Sequence, residues 1–224
     1  QLTFFLLLLL HLILYEIKNK IHFLIGAIFF YGCLLSVKTF LTHFILFSAW
    51  FAVLTLFSKQ IKIKEWLLLQ IGGILVFISS YTVFFIKGGS FRQWLGVQKY
   101  IIAFYKQAGI NIIEFAGNYL RLIFTGSWKF WSDNNPVSHY SEWSFTWSII
   151  FMTAAFVIYK IVKQKERKNI SFSEWMLVSF IIIYNLYLFI IPMFPRYLLL
   201  LFIPMIILIS IHFNTYLSYE SKKK

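Results

Sequence analysis

Seven long apolar runs alternate along this chain with short connectors, and the basic residues are concentrated in every second connector. Thirteen of the 21 Lys and Arg residues fall in four places: Lys18 and Lys20; Lys59, Lys62 and Lys64; positions 160–168; and positions 222–224. Cytoplasmic loops of membrane proteins retain Lys and Arg, so this alternation predicts both the topology and its orientation. One long segment, residues 87–142, is left on the outer face.

The composition agrees with a chain that lies mostly in a membrane. The mean hydropathy is +0.75, 60% of the residues are hydrophobic and 13% are charged. Soluble domains carry about 25% charged residues. The bilayer core offers no water to unpaired backbone groups, which favours helices, and a β-barrel would show short alternating segments instead. We therefore expect an all-α fold, a polytopic transmembrane helical bundle of about seven spans.

The apolar runs define the expected organisation of the chain. They cover residues 2–15, 21–37, 39–57, 66–86, 143–162, 175–191 and 196–213. We expect spans one to four within 1–86, an extracytoplasmic loop at 87–142, spans five to seven within 143–213 and a basic cytoplasmic tail at 214–224. The chain begins at Gln1, and its first run is shorter than the roughly 20 residues of a full span. We expect it to be the C-terminal part of a longer protein with the first span cut.

The long loop is predicted to contain two helices that lie in the membrane interface. Phe91, Trp94, Leu95, Ile101, Ile102 and Tyr105 fall on one helical face, with Arg92, Gly96, Lys99 and Lys106 opposite. Segment 110–125 is more apolar but carries a polar stripe of Asn111, Glu114, Asn118, Arg121 and Thr125. A further span there would move the most basic connector outside, so we interpret this segment as interfacial or re-entrant. Its stripe faces either water or a polar cavity.

Residues 127–142 are the most polar part of the outer face. They hold Asp133, His139 and Glu142, which are weak candidates for an acid/base group. The aromatic residues Trp128, Phe130, Trp131, Tyr140 and Trp143 are interleaved with them. Such a mixture suits a sugar or a lipid head group, and it equally suits an ordinary aromatic belt at a membrane interface.

Several function classes are disfavoured by the sequence. The formal net charge of +13 sits at membrane edges and forms no nucleic-acid-binding module, so anionic lipid head groups are the better partners. Cys33 is the single cysteine and permits no intrachain disulfide. Nucleotide-binding, nucleophile and zinc-protease motifs are absent from the sequence. His11, His22, His43 and His212 lie far apart within or beside spans, where packing is the simpler explanation.

The most specific local pattern lies at residues 191–204, Ile-Pro-Met-Phe-Pro-Arg-Tyr-Leu-Leu-Leu-Leu-Phe-Ile-Pro. It resembles the GT-C superfamily of membrane glycosyltransferases, in the protein O-mannosyltransferase and aminoarabinose transferase branch. Members of that branch carry a Pro-(Arg/His)-Tyr-Leu-Leu-Pro-like sequence leading into a late span. Leu200 stands where the family commonly has a proline. Residues 141–147, Ser-Glu-Trp-Ser-Phe-Thr-Trp, more faintly resemble another span entry of mannosyltransferases.

The resemblance implies an extracytoplasmic active site that uses a polyprenyl-phosphate sugar. It places Arg196, followed by Tyr197, as a contact to lipid phosphate, which a planar guanidinium fork suits; the alternative is an arginine that anchors the span at the interface. Arg92, Arg121 and Lys129 are further outer-face cations that could meet the phosphate. In that branch a catalytic acid lies in the first outer loop, upstream of this chain, as base or metal ligand. A divalent metal ion therefore stays open as a cofactor.

The expected function is sugar transfer from a lipid-linked donor to an unidentified acceptor on the extracytoplasmic face. Membrane lipids are the other expected partners, and the expected location is a bacterial or archaeal plasma membrane with the C-terminus in the cytoplasm. An O-antigen ligase or polymerase-like protein is a second possibility. A non-enzymatic transporter or scaffold is a third. A transporter is expected to have charged residues or broken helices near the middle of the membrane. The predicted spans contain almost none, with Gly72-Gly73 and the histidines as the candidates, so transport is disfavoured.

Overall fold

The described residues fold mainly into α-helices, which confirms the expected all-α class. The computed structural model describes residues 1–37, 40–58, 61–107, 116–129, 137–163, 171–191 and 194–221. Contacts divide the chain into two compact units, Gln1–Gly109 and Ile110–Lys224. The division falls inside the segment that the sequence assigns to the long outer loop. We call these parts unit 1 and unit 2.

Unit 1 is built from helices whose bounds follow the apolar runs. They are α1 Leu2–Lys18, α2 Ile21–Ser36, α3 Phe40–Val53, α4 Ile63–Ser79, α5 Thr82–Ile86 and α6 Phe91–Gln107, and a π-type turn Leu54–Ser58 continues α3. The helix α6 contains the amphipathic helix that the sequence predicts at residues 91–105. Predicted residues Ile102, Tyr105 and Lys106 have side chains outside the described set.

The fourth apolar run does not form one continuous helix as predicted. Helix α4 ends at Ser79, and the hydroxyl groups of Ser80 and Thr82 donate to the carbonyl oxygens of Phe77 and Ser79. Serine and threonine hydroxyls offer the backbone an alternative to the helical ladder. The run therefore splits into α4 and the short helix α5.

Close backbone approach holds α2 against α4 in unit 1. A Cβ atom added to Gly32 would clash with Val76 and would lie 2.9 Å from the carbonyl oxygen of Gly73. A Cβ atom on Gly73 would clash with the Tyr31 ring in the same way. Small residues at a helix interface permit such contact. Gly72-Gly73, considered above as a feature of a transporter, thus lies in a helix-packing interface.

A buried polar cluster lies among the apolar helices of unit 1. The Tyr31 hydroxyl and the Ser48 hydroxyl both donate to Oε1 of Gln70, at 3.2 Å and 2.6 Å. Gln70 is 6% exposed, and its Nε2 atom is buried without a hydrogen-bond partner among the described residues. The cluster links α2, α3 and α4 through one amide oxygen.

Unit 2 combines three long helices with a small hairpin. Its elements are α7 Asn118–Thr125, β1 Ser127–Lys129, β2 Val137–His139, α8 Thr146–Lys163, α9 Phe172–Ile190, a 3₁₀ turn Pro195–Leu198 and α10 Leu199–Ser221. The strands pair antiparallel, with Ser127 opposite His139 and Lys129 opposite Val137. Helix α9 begins earlier than the predicted run because Ser171 and Glu174 form a capping box.

Three helical segments of the described residues are long and apolar enough to cross a membrane. They are Thr146–Lys163, Phe172–Phe189 and Pro195–Asn214, with mean hydropathies of 1.4, 1.5 and 2.1. All three lie in unit 2. The apolar helices Ile21–Ser36 and Phe40–Leu56 of unit 1 are shorter. The structure therefore supports a helical membrane protein at this coarser level.

Candidate functional site

The hairpin of unit 2 is tied to α7 at both of its ends. Gly126 ends α7 with a φ of 69°, in the left-handed region that favours glycine, and its carbonyl oxygen accepts from the Tyr140 backbone N–H at 2.8 Å. The Asn118 side chain donates to the carbonyl oxygen of Lys129 at 2.8 Å and accepts from its N–H at 3.0 Å. The Asn118 side-chain amide thus pairs with the Lys129 backbone as a neighbouring strand would, and it fixes that backbone in place.

A shared acceptor joins α7 to the start of α8. The carbonyl oxygen of Ile123 accepts from Nε1 of Trp143 at 2.9 Å and from Oγ of Ser148 at 3.0 Å. Carbonyl groups in the last turn of a helix lack an intrahelical donor, so these side chains supply one. Helix α8 begins at Thr146, three residues after the start predicted at Trp143, and the Thr146 N–H donates to the Ser144 hydroxyl at 3.3 Å.

Four aromatic rings connect the hairpin to the last helix, and we call them the aromatic ladder. The ring of Trp128 lies 6.2 Å from Tyr140, Tyr140 lies 5.5 Å from Trp147, and Trp147 lies 5.6 Å from Phe202. The first and third pairs are T-shaped, an arrangement that aromatic pairs favour. Nε1 of Trp128 is buried without a hydrogen-bond partner among the described residues. The ladder thus runs from Trp128 in β1, beside Lys129, to Phe202 in α10.

The Pro-Arg-Tyr motif forms the 3₁₀ turn Pro195–Leu198, which we call the arginine turn. Arg196 is exposed, with its guanidinium carbon 4.9 Å from the Phe194 ring centroid and 5.7 Å from that of Tyr197. Tyr197 is 8% exposed, and its carbonyl oxygen accepts from the Tyr184 hydroxyl at 3.1 Å. The turn is therefore anchored by Tyr197 while Arg196 faces outward.

The three acid/base candidates are placed differently. Asp133 lies outside the described residues. The His139 ring is exposed, and its Nδ1 atom is 3.1 Å from the hydroxyl of the buried Ser127. Glu142 is exposed and accepts from the Tyr140 hydroxyl at 2.9 Å. His139 and Glu142 thus each have a separate partner, which leaves their role as an acid/base group a prediction.

The Glu142 contact has an electrostatic consequence for the aromatic ladder. The hydrogen bond to the Glu142 carboxylate, with smaller contributions from burial and from the negative charge itself, raises the pKa of Tyr140 above its ordinary value. Tyr140 therefore stays neutral and donates its proton to Glu142. The carboxylate keeps lone pairs that can accept from another donor.

The remaining predicted cations occupy different elements. Lys129 is half-buried at the end of β1, and Arg121 is exposed on α7. Arg92 is exposed on α6, which belongs to unit 1. Unit 2 thus carries Lys129, Arg121 and Arg196 as candidate phosphate contacts.

The polar stripe predicted on segment 110–125 does not act as one surface. Asn118 is buried at 7% exposure and bonds to Lys129, whereas Arg121 and Thr125 are exposed. Asn111 and Glu114 lie outside the described residues. Sequence reasoning placed Asn118 on the stripe but missed its structural role, because its partner is a backbone eleven residues away.

Comparisons with known proteins give no assignment: no family model, curated protein or solved structure matches this chain. Within the described ranges, no group of three or more His, Cys, Asp or Glu residues could hold a metal ion. Function is therefore inferred from the geometry of unit 2 and from the resemblance of its motif.

Proposed function

We propose that the chain is part of an integral-membrane glycosyltransferase of the GT-C type. It would cross the membrane about seven times and help to transfer a sugar from a polyprenyl-phosphate donor to an acceptor on the extracytoplasmic face. The arginine turn would bind the donor phosphate, and the aromatic ladder would border the sugar. The observation that carries the proposal is the exposed Arg196 held over two rings at the start of the last apolar helix.

The stacking of Arg196 suits phosphate recognition. Contact with the Phe194 and Tyr197 rings restrains the guanidinium through its charge and its faces. The N–H donors of an arginine lie in the guanidinium plane, where they match phosphate oxygens in pairs. A preorganised arginine loses less side-chain freedom when it binds. A simple interfacial anchor would need the charge but not this restraint.

The aromatic ladder suits the sugar portion of a donor. Tryptophan and tyrosine rings combine apolar faces with polar edges. The Glu142 carboxylate beside Tyr140 adds an acceptor for hydroxyl groups. Phe202 lies six residues after Arg196 along the same helical segment, which corresponds to about 10 Å. The Phe202 end of the ladder would therefore lie close enough to Arg196 for one lipid-linked sugar to contact both.

The distribution of charge on α8 supports the proposed orientation. Its last turn carries Lys160 and Lys163, and its first turn follows the hairpin. The helix has 18 residues and is about 27 Å long, close to the thickness of the hydrocarbon core. The hairpin and the basic end of α8 would then lie on opposite membrane faces, with the basic end in the cytoplasm.

Binding of a polyprenyl monophosphate tests the proposal directly. The purified chain is reconstituted in nanodiscs and titrated with a labelled polyprenyl monophosphate. We expect Arg196→Ala to weaken binding about 10- to 100-fold, since hydrogen bonds to charged groups contribute roughly 1.5–3 kcal/mol. Arg196→Lys should be intermediate because lysine keeps the charge without the planar fork.

Lys163→Ala is the matched control, because Lys163 is an exposed cation at the opposite end of α8. It should bind like the wild type. Unchanged binding by Arg196→Ala, or equal weakening by Lys163→Ala, would contradict the proposal.

Transport is a second candidate, favoured by the buried Gln70 cluster. Polar groups buried among membrane helices commonly mark a substrate pathway. Gln70 has a buried amide nitrogen without a partner among the described residues, which a transported solute could satisfy. Solute uptake into proteoliposomes that is lost in Gln70→Leu would favour transport, and binding of polyprenyl phosphate through Arg196 would favour the transferase.

A further inference from the structure

Trp94 and Gln98 of helix α6 contact the end of α4 and Tyr81 in unit 1. Trp94 is 7% exposed, and its ring lies 5.9 Å from both Phe77 and Tyr81. Gln98 donates to the Tyr81 hydroxyl at 3.3 Å. The indole nitrogen of Trp94 is buried without a hydrogen-bond partner in the described part of the chain, so Trp94 anchors α6 by packing.

Three other apolar side chains near the start of α6 are exposed. Phe91 is 58% exposed, Leu95 is 39% exposed and Val97 is 45% exposed. Phe91 and Leu95 are four residues apart, so they form one ridge along the helix. A contiguous exposed apolar surface of this kind marks an interaction site.

Basic side chains border this apolar ridge. Arg92 and Lys99 are exposed and lie three and four residues from Leu95, so they are beside this ridge and not opposite it as predicted from the sequence. Lys87 is exposed just before the helix. The sequence contains no Asp or Glu between Glu65 and Glu114, so α6 has no acidic residue of its own. The surface therefore combines an apolar strip with positive charge that no acidic residue of α6 offsets.

We propose that α6 binds anionic phospholipids, with Phe91 and Leu95 at the acyl boundary and Arg92 and Lys99 on the headgroup phosphates. Charge complementarity selects this occupant, because an apolar ridge flanked by cations fits a membrane surface better than a protein groove. Each cation near an anionic membrane surface contributes about fivefold in affinity. This surface lies in unit 1 and does not depend on sugar transfer, so the lipid-binding proposal can be tested independently of the proposed function.

The test measures which lipids surround α6 in the full chain. In a Cys33→Ala background, Leu95→Cys is labelled with an environment-sensitive fluorophore, and the protein is reconstituted in phosphatidylcholine vesicles. Quenching by spin-labelled phosphatidylglycerol is compared with quenching by spin-labelled phosphatidylcholine at equal mole fraction. We expect several-fold stronger quenching by the anionic lipid, and a smaller difference when salt is raised to about 1 M.

In the double variant Arg92→Gln/Lys99→Gln, both spin-labelled lipids should quench the dye equally, while the dye stays in an apolar environment. The control Lys160→Gln/Lys163→Gln, on exposed cations of α8, should keep the preference. Equal quenching of the parent protein by both lipids would overturn the proposal. So would a preference that survives Arg92→Gln/Lys99→Gln, or a dye that neither lipid quenches.

Discussion

The two units hold their helices together in different ways. In unit 1, glycines allow the backbones of α2 and α4 to approach closely, and Gln70 links three helices through its amide oxygen. In unit 2, side chains form the links: the aromatic ladder joins the hairpin to α10, and Ile123 joins α7 to α8. Close backbone contact leaves little room for a ligand between α2 and α4, whereas Tyr140 of the ladder bonds to the exposed Glu142.

This difference leads us to expect different effects of substitutions in the two units. A Cβ atom would clash at Gly32 and at Gly73, so the α2–α4 interface is suited to a fixed scaffold. Unit 2 presents Arg196 and Glu142 at its surface, each restrained by neighbouring aromatic groups. We therefore expect substitutions in the unit 1 interface to lower stability, and substitutions along the ladder to affect ligand binding as well.

The largest expected loss of stability comes from Gly32→Ala. The new methyl group would meet Val76 and the backbone oxygen of Gly73, which cannot move without shifting α4. Overpacking of this kind costs about 3 kcal/mol in the free energy of unfolding. Gly96→Ala on α6 is the matched control, since nothing lies within 4 Å of its added Cβ atom, and alanine should leave stability unchanged or slightly higher. Unfolding in mixed detergent micelles measures both variants, and equal stabilities would refute close packing at Gly32.

A smaller loss is expected from Trp147→Ala, which removes one of the two inner rings of the ladder. Trp147 is half-buried between Tyr140 and Phe202, so the loss should be about 2 kcal/mol, below the range for a fully buried tryptophan. Trp147→Phe keeps an aromatic ring at the position and should retain most of the stability that Trp147→Ala loses. If the ladder borders the sugar, Trp147→Ala also weakens binding of a lipid-linked sugar more than binding of the bare polyprenyl phosphate. Equal weakening of both ligands would separate the ladder from sugar recognition.

The smallest change is predicted for the buried polar cluster of unit 1. Gln70→Leu leaves the Tyr31 and Ser48 hydroxyls without their acceptor and should cost about 1–2 kcal/mol of unfolding free energy. The triple variant Tyr31→Phe/Ser48→Ala/Gln70→Leu removes every polar partner and should restore most of that stability. A triple variant less stable than Gln70→Leu would show that the cluster stabilises unit 1 in a way that apolar packing cannot replace.

The sequence predicts the helices of this chain better than it predicts their contacts. The apolar runs locate the long helices, and the periodicity at residues 91–105 locates α6, because burial and amphipathicity are local in sequence. The break between α4 and α5 was missed because the hydroxyls of Ser80 and Thr82 compete with the helical ladder. The ladder depends on Trp147 meeting Phe202, 55 residues along the chain, which periodicity does not encode. The sequence motif singles out Arg196, but its exposure and its two stacking partners required the structure.

Accessibility of introduced cysteines tests most directly whether the ladder and Arg196 form a site on the extracytoplasmic face. In a Cys33→Ala background, Ser141→Cys lies beside the hairpin, Arg196→Cys lies in the arginine turn and Lys163→Cys lies at the far end of α8; all three positions are exposed. A membrane-impermeant maleimide should label Ser141→Cys and Arg196→Cys in intact cells. It should label Lys163→Cys only after the cells are permeabilised. Labelling of Lys163→Cys from outside, or of Ser141→Cys and Arg196→Cys from opposite sides, would contradict the proposed site.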